Sequence, residues 1–157
     1  LMITKSGPKV IEYNCRFGDP ECQTIMPLMD QNFVFLLEKC SMGNLTGNEK
    51  INTSDKVSGC VIATSKGYPH EYKTGFQINI GKIDSNDCQI FDSGTSFSEN
   101  GELLTDGGRV LSIVCQGKDF DMVFEKAYKT LKEIYFEGIY FRNDIGHQVR
   151  KNFSKEN

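Results

Sequence analysis

Histidine is scarce in this chain. His70 and His147 are the only two, and neither lies beside a second metal ligand or a nucleophile. With them goes the basis for Ser/His/Asp or Cys/His nucleophilic catalysis. The six cysteines, Cys15, Cys22, Cys40, Cys60, Cys88 and Cys115, contain no CxxC pair, which excludes the usual zinc spacing. Most lie in apolar patterns, where a free thiol behaves as a small hydrophobe. There is no basic excess either: 18 Lys and Arg stand against 21 Asp and Glu, for a net charge of -3. Nucleic acid and anionic membranes call for a basic face, so neither is an expected partner. No apolar run approaches the roughly 20 residues of a membrane span, and no basic lead precedes an apolar stretch, so no signal peptide is expected. The expectation is a cytoplasmic protein with reduced cysteines.

What is present suits a globular α+β protein. Of 157 residues, 38% are hydrophobic and 25% charged, enough for one domain or for a small domain plus part of another. Leu1-Met2-Ile3-Thr4 and Lys9-Val10-Ile11-Glu12 flank a Lys5-Ser6-Gly7-Pro8 turn and read as a hairpin. A hairpin alone is marginal, so further strands are expected upstream of Leu1. Pro20 can begin a helix, Pro27 interrupts it within an Ile25, Met26, Leu28, Met29 cluster, and Asp30 can cap the next. That helix carries Phe33, Leu36, Leu37 and Cys40 as a sheet-packing face and ends at Gly43. Residues 46–56 are polar and read as a linker between a unit over 1–45 and a β-rich unit over 57–150, with a frayed tail at 151–157. In the β-rich unit, short strands fall at 57–64, 76–80, 89–91, 102–105 and 109–115, separated by glycine turns, and predict a small antiparallel sheet or barrel. Asp119 caps a closing helix whose Phe120, Val123, Phe124, Ala127, Leu131 and Ile134 form one apolar stripe. Residues 138–142 read as a last strand.

One stretch carries unusual chemistry. Over residues 11–17, polar and apolar residues alternate as in a strand, placing Ile11, Tyr13, Cys15 and Phe17 on a core face and Glu12, Asn14 and Arg16 on the other. A carboxylate and an amide oxygen side by side suit a hard cation such as Mg²⁺. An arginine two positions on can grip a carboxylate or phosphate bidentately. The same three residues also fit an ordinary solvated strand face. Gly107-Gly108-Arg109 is a similar two-way case, either backbone N–H groups for an anion or a tight turn, with Arg109 directed at the site or at solvent.

The run from Val10 to Gln23, VIEYNCRFGDPECQ, resembles a signature of the phosphoribosylamine–glycine ligase family, members of the ATP-grasp superfamily. The resemblance continues through Gly67-Tyr68-Pro69, Ser93-Gly94-Thr95, Gly107-Gly108-Arg109-Val110-Leu111 and Asp144-Ile145-Gly146-His147, in the family's order. It implies the C-terminal part of such an enzyme, with the last strands and helix of the ATP-grasp domain followed by a small β-rich, barrel-like domain. By resemblance, Glu12 and Asn14 match metal ligands for Mg²⁺ or Mn²⁺. Arg16 matches the motif arginine that meets the glycine carboxylate or acyl phosphate. Asp19 and Glu21 belong to the same motif, for substrate contact or for turn and helix capping. The implied partners are ATP, glycine, 5-phosphoribosylamine and the N-terminal remainder of the enzyme, without which catalysis is not expected. Another ATP-grasp carboxylate–amine ligase, or a non-catalytic β-rich binding module, are the rival readings.

Overall fold

A computed structural model describes residues 1–29, 33–83 and 87–150. Asp30 and the tail 151–157 lie outside the described residues. The chain opens with the hairpin of β1 (Met2–Thr4) and β2 (Gly7–Lys9), in the register Met2↔Lys9 and Thr4↔Gly7. Gly7 adopts φ +95°, and the Thr4 hydroxyl donates to the Gly7 carbonyl at 2.7 Å, which closes the turn. Residues 10–20 form no helix or strand. A short α1 (Glu21–Ile25) passes into a 3₁₀ turn over Met26–Leu28, where Pro27 falls, and then α2 (Phe33–Ser41). The α2 helix ends as its sequence predicts, with Gly43 at φ +67° and the Asn44 N–H bonded to the Lys39 carbonyl.

Next come β3 (Val57–Ser65), β4 (Asn79–Ile80), β5 (Cys88–Asp92), β6 (Thr95–Phe97), β7 (Leu103–Thr105), β8 (Arg109–Gly117), α3 (Phe120–Lys132), β9 (Ile134–Tyr135) and β10 (Ile139–Tyr140). The central sheet runs β10-β3-β8-β5, antiparallel throughout, and the pairs β4-β9 and β6-β7 stand beside it. Residues 76–78 pair with β7 through Gln77↔Leu104, so the alternation of Phe76, Ile78 and Ile80 does mark extended chain.

Helix α3 covers one face of the sheet. The Asp119 carboxylate accepts from the Met122 N–H at 2.9 Å, the predicted cap. Val123, Phe124, Ala127 and Leu131 are buried against Val61, Ala63, Leu111, Ile113 and Cys115; Ile134, assigned to the same stripe, starts β9 instead. Side chains alternate across a strand, so Cys60, Ile62, Thr64, Ser112 and Val114 look to the opposite face, where α1 packs. One irregularity bears on function. The register runs Ala63↔Leu111, then Thr64↔Arg109, which leaves Val110 as an extra residue in β8. Such a bulge re-aims the next side chain. Arg109 therefore shares the face of Thr64 and Ile62 rather than the α3 face.

Three expectations are corrected. Residues 11–17 do not form a strand. Ile11 is 64% exposed, Tyr13 89% and Phe17 43%, and Cys15 is exposed too. A strand needs a neighbour to take its hydrogen bonds, and no described residue pairs with this segment; Phe17 meets Phe33 edge-on, with ring centroids 5.6 Å apart. Helix α2 buries none of its residues, Leu37 being 51% exposed, so its apolar face packs on no sheet among the described residues. The cysteines are not all reduced, for Cys88 and Cys115 form a disulfide. The β5–β8 register sets them directly opposite one another, Cα atoms 4.1 Å apart, in the core beneath α3. That closeness comes from strand register, which the spacing along the chain does not reveal. Cys15, Cys22, Cys40 and Cys60 are free thiols.

Candidate functional site

The stretch over 10–20 runs along the surface as irregular chain, with a bend at 15–16 and a turn at 19–20 before α1. Glu12, Asn14 and Arg16 are all exposed. Arg16 makes only a local bond, Nη1 to the Phe17 carbonyl at 3.3 Å. Glu12 and Asn14 have no hydrogen-bond or ion-pair partner among the described residues. Their oxygens are thus uncommitted, and a carboxylate with an amide oxygen is a donor set that fits a hard divalent cation. Two side chains do not complete a shell, and no cluster of three or more ligating His, Cys, Asp or Glu occurs among the described residues. Phosphate or water oxygens would have to supply the rest.

Further along, Asp19 and Glu21 are engaged. The Glu21 carboxylate accepts from the Gly18 N–H at 2.8 Å and ties off the start of α1. Asp19 is held from two sides. Gln23 Nε2 donates to its Oδ1 at 3.0 Å, and Arg109 grips it through Nη2 to Oδ2 at 2.9 Å and Nη1 to its carbonyl at 2.9 Å. The β8 bulge makes this possible. Arg109 is what the sequence alone left open, and the GGR turn that precedes β8 was the signal. It fastens the 10–21 stretch to the central sheet.

The glycines of that turn serve close approach. A Cβ on Gly94 would come within 2.6 Å of Gly107 Cα, and one on Gly107 within 2.8 Å of Gly94 Cα, so two loops cross where only glycine fits. Ser65 bonds to the carbonyls of Gly107 and Gly108 at 2.8 Å each. The Gly67-Tyr68-Pro69 turn folds over Gly108, which lies under the Tyr68 and Tyr72 rings. The structure thus brings the separated motifs together as scaffold.

Between the turn at 68–69, the α1 face of β3 and the C-terminal loop lies a cavity of about 400 Å³. Its wall is mostly apolar and includes Pro20, Ile62, Tyr68 and Phe141, with Arg109 and Arg142 at it as well. Arg142 forks onto Asp144, Nε to Oδ1 at 2.8 Å and Nη2 to Oδ2 at 2.7 Å, which lowers the Asp144 carboxyl pKa. Cys60 also lines the cavity. Burial, followed by the nearby Asp19 charge, pushes its thiol up to about 12, so it stays protonated. His70 is exposed on the loop at 67–70, and His147 Nδ1 lies 3.0 Å from the Asp144 carbonyl.

An α+β domain built on an antiparallel sheet between helices, with an exposed oxygen-donor segment clamped to its edge by an arginine, is the class defined so far. Known proteins narrow it. The C domain of phosphoribosylglycinamide synthetase matches residues 58–148, and the ATP-grasp (A) domain of the same enzyme matches residues 1–22. The chain is 48% identical over 145 residues to phosphoribosylamine–glycine ligase of Caldanaerobacter subterraneus, covering 92% of this chain and 34% of that protein. It is 37% identical over 150 residues to the trifunctional purine biosynthetic protein adenosine-3 of Homo sapiens, 95% of this chain and 15% of that protein. The crystal structure of phosphoribosylamine–glycine ligase from Thermotoga maritima superposes with a TM-score of 0.77 at 29% identity, over 91% of this chain and 34% of that one. The chain belongs to the phosphoribosylglycinamide synthetase family. It spans about a third of the length of the ligases it matches. No helix among the described residues is long and apolar enough to cross a membrane.

Proposed function

We propose that this chain forms the C-terminal part of a cytoplasmic ligase that joins glycine to 5-phosphoribosylamine, with ATP converted to ADP and phosphate. Residues 1–45 are its share of the ATP-grasp domain, 46–56 the connection, 57–150 the small C-terminal domain and 151–157 a tail. The observation that carries this reading is the 48% identity to a ligase of that name over 92% of the chain, together with the ATP-grasp (A) domain match over residues 1–22, which bear Glu12, Asn14 and Arg16. Phosphoryl transfer to the glycine carboxylate gives an acyl phosphate. The amine of phosphoribosylamine then attacks the acyl carbon and releases phosphate. Such chemistry depends on positioning and charge neutralisation rather than on a protein nucleophile.

In this reading Glu12 and Asn14 hold Mg²⁺ or Mn²⁺, which supplies neutralisation of phosphate charge when bound. Arg16, exposed and with no carboxylate partner among the described residues, orients the glycine carboxylate or its acyl phosphate. Asp19 and Glu21 flank that site; their bonds to Arg109 and Gly18 support a positioning role. The remaining walls come from the rest of the enzyme, so the 157-residue piece alone is inactive. The test is ADP formation by the intact ligase carrying Glu12→Ala or Asn14→Ala, with glycine, phosphoribosylamine and varied Mg²⁺. Turnover falls at least 100-fold with unfolding unchanged. Near-normal turnover at low Mg²⁺ removes both residues from the metal site.

A further inference from the structure

We infer that the Cys88–Cys115 disulfide is a reversible thiol–disulfide exchange site, opened by a small thiol at Cys88, and that its state sets how firmly β5 holds the Arg109 turn. Three observations carry it. The first is the compartment. Disulfides in a reducing cytosol are usually transient, serving catalysis or redox sensing, and the ligase proposed above is cytoplasmic. The second is access. A cavity of about 330 Å³ lies between β5 and the flank of α3, lined by Cys88, Met122, Lys126 and Lys129 among others. Cys88 is 7% exposed and lines it; Cys115 is 0% exposed and does not. An incoming thiol therefore meets Cys88, and Cys115 is the leaving sulfur.

The third is what the disulfide fastens. Strand β5 is an edge strand, paired with β8 alone. The disulfide joins it to β8 at one end, Cys88 opposite Cys115. Just past its other end, the Ser93 N–H donates to the Val110 carbonyl at 3.0 Å and the Gly94 N–H to the Arg109 carbonyl at 2.8 Å. Those carbonyls belong to the bulge that turns Arg109 toward Asp19. With the disulfide open, an edge strand of five residues is left with backbone bonds to one neighbour, and such segments unfold locally first. As β5 loosens, the Arg109 turn loses the bonds that fix it. Resting on the function proposed above, the grip of Arg109 on Asp19 aligns the stretch that bears Glu12 and Asn14, so the reduced enzyme requires more Mg²⁺.

The exchange is a two-electron reduction by two equivalents of a small thiol. The first thiolate attacks Cys88 Sγ and forms a mixed disulfide. The Cys88–Cys115 bond breaks, and Cys115 leaves as a thiolate that takes up a proton. The second thiolate attacks the reductant sulfur of the mixed disulfide, giving the oxidised reductant and releasing Cys88, which is protonated in turn. The two protons lost by the reductant thus end on Cys88 and Cys115.

Glutathione is the probe. The intact ligase is equilibrated with reduced and oxidised glutathione at ratios that span the cytosolic one, quenched with iodoacetamide in denaturant and analysed by peptide mass spectrometry. Cys88 and Cys115 should pass from disulfide to labelled thiols within that span. A pair that stays oxidised at every ratio, or stays reduced at every ratio, overturns the exchange site. Amide hydrogen exchange over 88–94 should quicken roughly 10-fold or more on reduction, with the interior of α3 unchanged; equal protection in both forms overturns the hold on the Arg109 turn. Half-saturating Mg²⁺ for ADP formation should rise roughly 10-fold on reduction of the wild type, and Cys88→Ala should show the reduced-form value at every ratio. A requirement for Mg²⁺ that does not move with the redox state overturns the link to the metal stretch. Should Cys88→Ala fail to fold, the wild-type titration and hydrogen exchange decide. A wild-type enzyme that makes no ADP from the three substrates sinks the proposed function, while label and exchange still decide the disulfide.

Discussion

Gly59→Ala sets two effects of opposite sign against each other. Gly59 lies in β3 opposite Cys115, buried under α3. Its φ is outside the left-handed region, so the backbone does not require glycine there. On that ground alone, alanine should stabilise by about 0.4–1 kcal/mol, by restricting the unfolded chain. The added Cβ, however, would stand 2.9 Å from Phe124 Cζ and 2.9 Å from Val123 Cγ1. Neither neighbour has open space to move into, since Val123 is 0% and Phe124 5% exposed. Overpacking a closed core costs about 1–3 kcal/mol, so the clash wins by roughly 1–2 kcal/mol. In a domain of this size that lowers Tm by roughly 2–8 °C. Thermal and urea unfolding, the latter with unchanged m-value, measure it. The double variant Gly59→Ala/Val123→Ala should recover part of the Gly59→Ala loss as a positive coupling, because the methyl it adds takes space the other removes. Gly108→Ala is the control: Tyr68 and Tyr72, which it would strike, are 40% and 42% exposed and can swing aside. A Gly59→Ala protein that melts at or above the wild type, or a Gly108→Ala protein that loses more, refutes the packing argument.

Asp87 pairs with Lys126 at 2.7 Å and Lys56 at 2.8 Å, and those bonds, Lys126 first, lower its pKa from 3.8 to about 2. A depressed carboxylate stabilises fully above its unfolded pKa and loses that stability as pH falls through the folded value, so the loss falls between about 3.8 and about 2. The pairs are exposed and worth at most about 1 kcal/mol each; Asp87→Asn should flatten the pH dependence of Tm in that window, and an unchanged slope discounts the pairing. Iodoacetamide at pH 8 should label Cys15 and Cys40, which are exposed, and spare Cys60, whose thiol is pushed up to about 12. Cys88 and Cys115 should react only after reduction and unfolding; their labelling in the untreated folded protein rules out the disulfide.

Where local signals and tertiary demands coincide, the fold can be read directly from the residues. The Asp119 cap and the stripe of Val123, Phe124, Ala127 and Leu131 specify α3, because helix start and buried face are both written within one window. The β3 and β8 segments are legible for the same reason, as long, largely apolar runs bounded by turn residues. Three features escape a window-by-window reading. The β8 bulge depends on how 63–64 and 109–111 align, and Cys88–Cys115 on how 88 and 115 align. Both are properties of register, which two distant strands settle jointly. The failure over 11–17 is different in kind. Alternation there correctly records two chemically distinct faces, yet a strand exists only when another takes its hydrogen bonds, and among the described residues none does.

The same distinction explains the motifs. Glycines at 94, 107 and 108 and the Gly67-Tyr68-Pro69 turn are recognisable in the sequence as unusual, but residue type does not separate an anion cradle from a tight crossing. Contact does: backbone crosses backbone at Gly94 and Gly107, which leaves no room for side chains there, and Gly108 lies under the Tyr68 ring. Their consequence is felt one residue later. With the loop held between Ser65 and Gly94, the chain enters β8 at a bulge, and Arg109 is turned toward Asp19 instead of the core. A row of residues with no functional group of their own thus decides where a cation is placed. Glu12, Asn14 and Arg16 stand at the other extreme, with the chemistry plain in their side chains and, among the described residues, only the local Arg16–Phe17 bond to hold them. In the site proposed here, the glycine turns supply the fixed geometry, and the exposed stretch supplies the oxygens and charge that this geometry, through Arg109 and Asp19, tethers to the sheet.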